Sequence, residues 1–435
     1  MAKRNNAVQT AGTADQGILF PTEWMKEIKD KFFYVDSDPD IGERLFFDNA
    51  GGSFRLKKAN EIFAKIDAIP DCPERTHKMA VYLQKIQEDG INDVKLIFNA
   101  QGGSVFTALT ASEAMFDLVR AVAENTSGSN MVTSILEHPS AYDPMVAYAG
   151  RLGKELRVAK SNPITGGVDV ETVIGLVDKN TCLLNVMFAS NISGAVFDLE
   201  AIVRKARAIN PDIFITVDAV QHAPHGVIDL QKTPVDAITM APYKFFGVRG
   251  SGIAWLSDRA AALPHHKLTA KAKDVWELGS PAPAQFAVIA EIVNYVCWIG
   301  GKFTESQDRR ARYVAGMTHI ALHERALMAL MLDGTGSVPG IRAIANVEVY
   351  LDYQDLSKRD LILAIGFKNL GYTQAVKEYE KRNVIVYERI VSSLYSKRML
   401  EAFNMEGAVR VSPLHCNSKA DIEKFLKITM ELAKL

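Results

Sequence analysis

Thr181-Cys-Leu-Leu-Asn-Val-Met-Phe188 and Ile213-Phe-Ile-Thr-Val-Asp218 decide the fold. Both are apolar almost without interruption, too continuous for strands with one wet face. Between them, Leu199 to Ile209 carries helical periodicity. Strands buried on both faces and joined by helices mean a mostly parallel sheet covered by helices on both sides. The same alternation extends outward. Val94 to Phe98, Asn130 to Leu136, Glu155 to Ala159, Ala237 to Met240 and Ser251 to Leu256 read as further strands. Helices are expected over 104–123, 142–150 and 168–177. Arg44 to Asp48 reads as a short strand running into the turn Asn49-Ala-Gly-Gly52, preceded by a helix from Pro21 to about Lys31 and a polar arm over the first twenty residues. Helical text runs from Gln285 to about Leu332. Strand–helix alternation resumes near Val347. The expected fold is α/β: a large domain over 45–310, a smaller α+β domain over 311–435, and an N-terminal arm and helix over 1–44 joining the small domain.

Composition narrows the function. The 435 residues are 48% hydrophobic and 23% charged, ordinary for a globular chain. Lys plus Arg is 50 and Asp plus Glu is 51, so a net charge of −1 gives no electrostatic case for nucleic acid or an anionic membrane surface. Cys72, Cys182, Cys297 and Cys416 are scattered, with no CxxC, so neither a metal site nor a disulfide framework is indicated. The N-terminus lacks a secretory core. The most apolar stretch, Phe286 to Gly300, is broken by Glu291 and Asn294 and reads as too short and too polar to cross a bilayer. A cytoplasmic enzyme is expected.

In an open parallel sheet, ligands sit beyond the C-terminal ends of the strands. Five strand ends there carry polar groups. Asn99-Ala-Gln-Gly-Gly-Ser104 reads as a turn opening a helix, a place for an anion, though equally a plain βα turn with a Ser cap. Glu137-His138-Pro-Ser140 puts a histidine over the sheet edge; alone, a structural role fits it as well. Asn191, in Ala189-Ser-Asn-Ile-Ser-Gly194, could be only a turn residue. Asp218 ends an apolar run and so needs a partner for its charge. Lys244 lies among apolar and aromatic residues, where desolvation lowers its pKa and frees the amine as a nucleophile. An anion cradle, a buried Asp and a desolvated Lys are what a pyridoxal phosphate site requires.

Eight motifs in order extend this: Phe47-Asp-Asn-Ala50, the Gly-Gly-Ser loop, Glu137-His138, Ser190-Asn-Ile-Ser-Gly194, Val217-Asp-Ala-Val-Gln221, the Lys244 segment, Glu277-Leu-Gly-Ser-Pro281 and Val409-Arg-Val-Ser-Pro413. On these the chain resembles the class V aminotransferases, fold-type I pyridoxal-phosphate enzymes that include cysteine desulfurases, selenocysteine lyases, kynureninases and an isopenicillin N epimerase. The resemblance implies pyridoxal 5'-phosphate as cofactor, with Lys244 as its Schiff-base lysine. It implies Asp218 at the pyridine nitrogen, Gln221 and Asn191 near the ring hydroxyl, His138 stacked on the ring, and Gly103 and Ser104 at the phosphate. Ser280 is implied to reach the phosphate of a neighbouring subunit, hence a homodimer. Asn49, Asn191 and Arg410 fall on the substrate side, Arg410 as the carboxylate clamp. Two positions depart from the pattern. The Ser and His that usually precede the lysine are replaced in Ala241-Pro-Tyr243, leaving Tyr243 as a phosphate donor. The loop that carries the desulfurase thiol has no Cys between Val386 and Ser393; Cys416 reads as apolar filler. Tyr243, Tyr387, Glu388 and Arg389 are candidates to line the substrate side. Without that thiol, an aminotransferase comes first, a desulfurase-like C–S or β-lyase second, then an epimerase. The non-enzyme alternative is a cofactor-less binding or assembly relative.

Overall fold

The computed structural model describes residues 16–70 and 73–435, so most of the N-terminal arm and Cys72 lie outside the described residues. Seven strands form one sheet: β1 Ser104–Ala108, β2 Asn130–Ser134, β3 Glu155–Ala159, β4 Thr181–Met187, β5 Phe214–Asp218, β6 Ala237–Met240 and β7 Gly252–Leu256. Their spatial order is β1-β7-β6-β5-β4-β2-β3. Neighbours from β6 to β3 are parallel, while β7 runs antiparallel to both β6 and β1. Every residue of β4 is buried, as its unbroken apolar run requires. The covering helices include α1 Lys78–Phe98, α2 Ala111–Asn125, α3 Pro139–Leu152, α4 Leu199–Ile209, α5 Pro283–Gly300 and α6 Arg309–Asp333.

Two sequence expectations fail at one place. Val94 to Phe98 is not a strand but the end of α1, whose buried Leu83, Gly90, Val94 and Ile97 recur at helical spacing. A short apolar run suits either state, and the preceding turns decide it. Asn99 then closes α1 in the left-handed conformation. The helix expected from 104 is first the strand β1, where Val105, Phe106 and Thr107 favour a pleated surface. Helix α2 begins only after Thr110, whose side chain accepts the Glu113 N–H at 3.1 Å.

The helical text from Gln285 divides into α5 and α6, and α5, which holds the apolar stretch read as too short to cross a bilayer, has 18 residues and a mean hydropathy of 1.2. By length and composition alone it could cross a membrane; 61% of it is buried inside the protein, and it packs against α1 and α6. The α5–α6 crossing depends on glycines. A Cβ at Gly300 would collide with the Arg312 carbonyl, and one at Gly316 with the Val296 carbonyl. Gly316→Ala is therefore expected to cost about 3 kcal/mol or more, read as a lower urea midpoint at unchanged slope. Gly150, in α3 with open space around it, is the control: Gly150→Ala should stabilise by about 0.5–1 kcal/mol.

A second sheet comprises β8 Val347–Tyr350, β9 Leu363–Phe367, β10 Tyr387–Ile390 and β11 Gly407–Val411, all antiparallel in the order β8-β9-β11-β10. It has its own apolar cluster, including Phe47, Leu363, Tyr379 and Phe425. Leu45–Phe46 pairs in parallel with Val384–Ile385, and Asp48 bridges to Ser412. The segment read as strand Arg44 to Asp48 thus forms a separate two-stranded pair beside this second sheet before turning toward the first.

Candidate active site

The C-terminal ends of the parallel strands open on a cavity of about 300 Å³. Strand β4 delivers Met187, Ala189 and Asn191; β5 delivers Asp218, Val220 and Gln221; β6 delivers Ala241, Tyr243 and Lys244. His138 and Ser140 come from the start of α3, which follows β2. Leu109 to Ser112 at the start of α2, with Arg249, Gly250 and Ser251 just before β7, line the cavity too. Because β7 is antiparallel, its N-terminal end lies on this side of the sheet.

Lys244 sits in a short 3-10 turn directly after β6. Enclosure in protein, then the nearby Arg410 charge, pull its amine down to about 7, against the opposing pull of Asp218. An amine so placed keeps a substantial neutral, nucleophilic fraction near neutral pH, where an ordinary lysine has almost none. Burial raises the Asp218 carboxyl, while the Val220 N–H, donating to Oδ1 at 2.9 Å, favours the anion. His138 is held down to about 3, first by burial and then by Lys244, so its ring is neutral. The Ser140 N–H donates to Nδ1 at 3.2 Å, which leaves the proton on Nε2. The ring lies 6.0 Å from Tyr395 at 19°, close to parallel. Behind it, Glu137 is fully buried and raised to about 8, chiefly by desolvation.

Several groups await a ligand. Asn191 Oδ1 is buried with no hydrogen-bond partner, as is Arg410 Nε. Gln221 donates one amide proton to the Ala50 carbonyl at 3.1 Å and still faces the cavity. A flat, anion-bearing carbonyl compound fits these residues. The amine can attack its carbonyl and the imidazole face can cover its ring. Asp218 can hold a ring cation, and the first turn of α2 offers amides and a positive dipole to a phosphate.

The structure moves some assignments. Gly103 and Ser104 are not at the cavity: they begin β1, whose far end leads to it. The Gly103 N–H donates to Asp258 and Ser104 Oγ to the Asp274 carbonyl. The turn that does line the cavity is Leu109 to Ser112, at the other end of β1. The Thr110-Ala-Ser-Glu113 pattern, a capping signature, could have located it. Asn49 is not free for substrate, because its Nδ2 donates to Phe46 and Ser412 carbonyls and its Oδ1 accepts the Phe54 N–H. Ser280 is exposed and does not line the cavity. Arg410 does not line the cavity; it stands behind Asn191, which does, donating to the Asn191 carbonyl at 3.2 Å and to Asp48 at 2.7 Å. Asp48, in the Phe47-Asp-Asn-Ala50 motif, is thus bound to the site through Arg410. Of the described cysteines, Cys182 and Cys416 are buried and Cys297 partly so; none lines the cavity.

Comparison with known proteins agrees in fold and family. The family profile described as Aminotransferase class-V matches residues 55–425. A probable cysteine desulfurase of Borreliella burgdorferi is 23% identical over 447 residues, covering 94% of this chain and 98% of that protein. A probable cysteine desulfurase of Mycoplasma genitalium is 27% identical over 220 residues, spanning 48% of this chain and about half (52%) of that protein. Among solved structures, the apo cysteine desulfurase from Thermococcus onnurineus NA1 superposes with a TM-score of 0.77 at 18% identity, covering 94% of this chain and 98% of the other.

Proposed function

The chain belongs to the class-V aminotransferase family, whose members depend on pyridoxal phosphate, and from that premise we propose that it binds this cofactor on Lys244 and eliminates a substituent from Cβ of an amino acid. The observation that carries the reading is the convergence of Lys244, Asp218, His138 and Asn191 on one cavity at the strand ends. The bound cofactor supplies an electron sink for a carbanion at the substrate's Cα. The chain supplies the rest. Asp218 would keep the ring nitrogen charged, and neutral His138 would cover the ring. Gln221 and Asn191 would hold its polar edge, and Thr110 to Ser112 would hold the phosphate, a task that Tyr243 would share.

Lys244 Nζ takes the Cα proton. The bond from Cβ to its substituent then breaks with the electron pair on the leaving group, and hydrolysis yields ammonia and a 2-oxo acid. The named relatives are desulfurases, so elimination stands ahead of transamination, the reverse of the order read from sequence alone. No thiol at the cavity is assigned a sulfur-relay role. The reading extends to a homodimer in which exposed Ser280 reaches the neighbouring subunit's cofactor.

One experiment tests this. The purified protein, loaded with cofactor, is given β-substituted amino acids with and without pyruvate or 2-oxoglutarate. Ammonia and pyruvate released without any added oxo acid support elimination. Turnover only when an oxo acid is present would replace it with transamination.

Arg410 is assigned the substrate α-carboxylate, since a planar guanidinium binds a carboxylate through two parallel bonds. Arg410→Ala should raise KM for an amino acid by about 100-fold, the loss of a charge-assisted pair. KM for the matching simple amine should change little. Equal losses for both would assign Arg410 a structural role.

A further inference from the structure

Two guanidiniums project from one face of the second sheet. Arg410 on β11 stands opposite Tyr387, and Arg389 on β10 stands opposite Ala408, so the two arginines are diagonal neighbours on adjacent strands. Both are buried, Arg389 at 5% and Arg410 at 3% exposure. Both charges bear on Lys244 and on His138.

Their partners differ. Arg410 is neutralised by Asp48 at 2.7 Å and still has a free Nε for one carboxylate. Arg389 donates from Nη2 to the Tyr395 carbonyl at 2.7 Å, and its Nε has no partner. Among the described residues no carboxylate forms an ion pair with Arg389, and Glu388, next to it on the strand, alternates to the other face. Burial and the Arg410 charge pull the Arg389 guanidinium down to about 9. Neither lines the cavity itself; each stands behind a residue that does. Arg410 is tied to Asn191, whereas Arg389 is tied to Tyr395, whose ring stacks on His138. Arg389 hydrogen-bonds a carbonyl, and the Asp48 charge that also acts on it is already paired with Arg410, so this buried guanidinium gains from an anion that joins it.

We propose that the substrate is an amino acid whose side chain ends in a negative charge, held by Arg389 while Arg410 holds the α-carboxylate. The inference rests on the cofactor reading above and adds the substrate class to it. It makes Arg389 the residue that separates an acid from its neutral isostere.

The test titrates the cofactor-loaded protein with L-aspartate against L-asparagine, and L-glutamate against L-glutamine, following the absorbance of the bound cofactor. At least one acid should bind about 30-fold or more tighter than its amide. Arg389→Gln should bring the acid's affinity down to that of the amide, while Arg389→Lys should retain part of the preference. Equal binding of acids and amides by the unaltered protein would overturn the proposal, whatever the variants do. So would an Arg389→Gln variant that loses acid and amide alike, which would make both arginines a shared clamp for the α-carboxylate. A protein that takes up no cofactor would show no band to titrate, a failure of the cofactor reading that is visible before any amino acid is added.

Discussion

Lys244→Ala should abolish covalent capture of pyridoxal phosphate and lower kcat by about 1,000-fold or more, since it removes both the attachment point and the proton carrier. Borohydride treatment of the unaltered protein should fix the cofactor to the peptide containing Lys244, and the variant should release all of it on gel filtration. The pH dependence has a definite sign. Enclosure and neighbouring arginines lower the amine to about 7, and only the neutral amine attacks a carbonyl. Loading of the cofactor-free protein should therefore accelerate as pH rises through about 7 and level off above it. A rate still climbing toward pH 10 would mean that Lys244 behaves as an ordinary surface amine.

Asp218→Asn should leave the fold intact and cost about 3–4 kcal/mol in the chemical step, a loss of order 10²–10³ in kcat. The amide preserves the shape at the end of β5, and it can still accept the Val220 N–H seen at 2.9 Å. What it lacks is the charge opposite the ring nitrogen. KM should change less than kcat, because the charge matters most when the carbanion forms. Circular dichroism and the thermal midpoint check the fold. Near-normal turnover would reduce Asp218 to a strand cap.

The large sheet was legible because its central strands leave no alternative. A run such as Thr181 to Met187, apolar but for Thr181 and Asn185 and seven residues long, fits neither an amphipathic helix nor a one-sided strand. The strand ends followed from it, and with them Lys244, Asp218, Gln221, Asn191 and His138, all of which face the cavity. The reading failed where apolar residues were few and close together. Leu96-Ile97-Phe98 suits a strand locally, and only the fifteen or so residues before it show that the helix is already under way. That error put Gly103 and Ser104 at the cavity, where the structure has Thr110 and Ser112 instead. Glycines suggest a phosphate loop, but here they close a helix and open an edge strand. Asn49 was misjudged for a different reason. A buried amide between two chain segments satisfies backbone groups on both sides, and no sequence pattern reveals how many of its bonds are already used. Asp48 and the isolation of Arg389 were out of reach for the same reason, since both depend on strands far apart in the chain coming into register.

Residues 45–53 act mechanically as a rein between the two walls of the cavity. At one end, Leu45 and Phe46 are stitched to Val384 and Ile385, and Asp48 grips Arg410. At the other, the Ser53 N–H reaches the Tyr243 carbonyl at 3.2 Å, and Ser53 Oγ receives the Phe246 N–H at 3.0 Å, on either side of Lys244. Five residues of fully drawn chain reach at most about 17 Å. The arginines can thus swing away from the lysine only as far as this slack allows, and any wider gape must first tear one of the two attachments. The same length of chain therefore couples the strand that carries Arg410 to the turn that carries Lys244, so a substitution that frees either Asp48 or Ser53 should loosen both together.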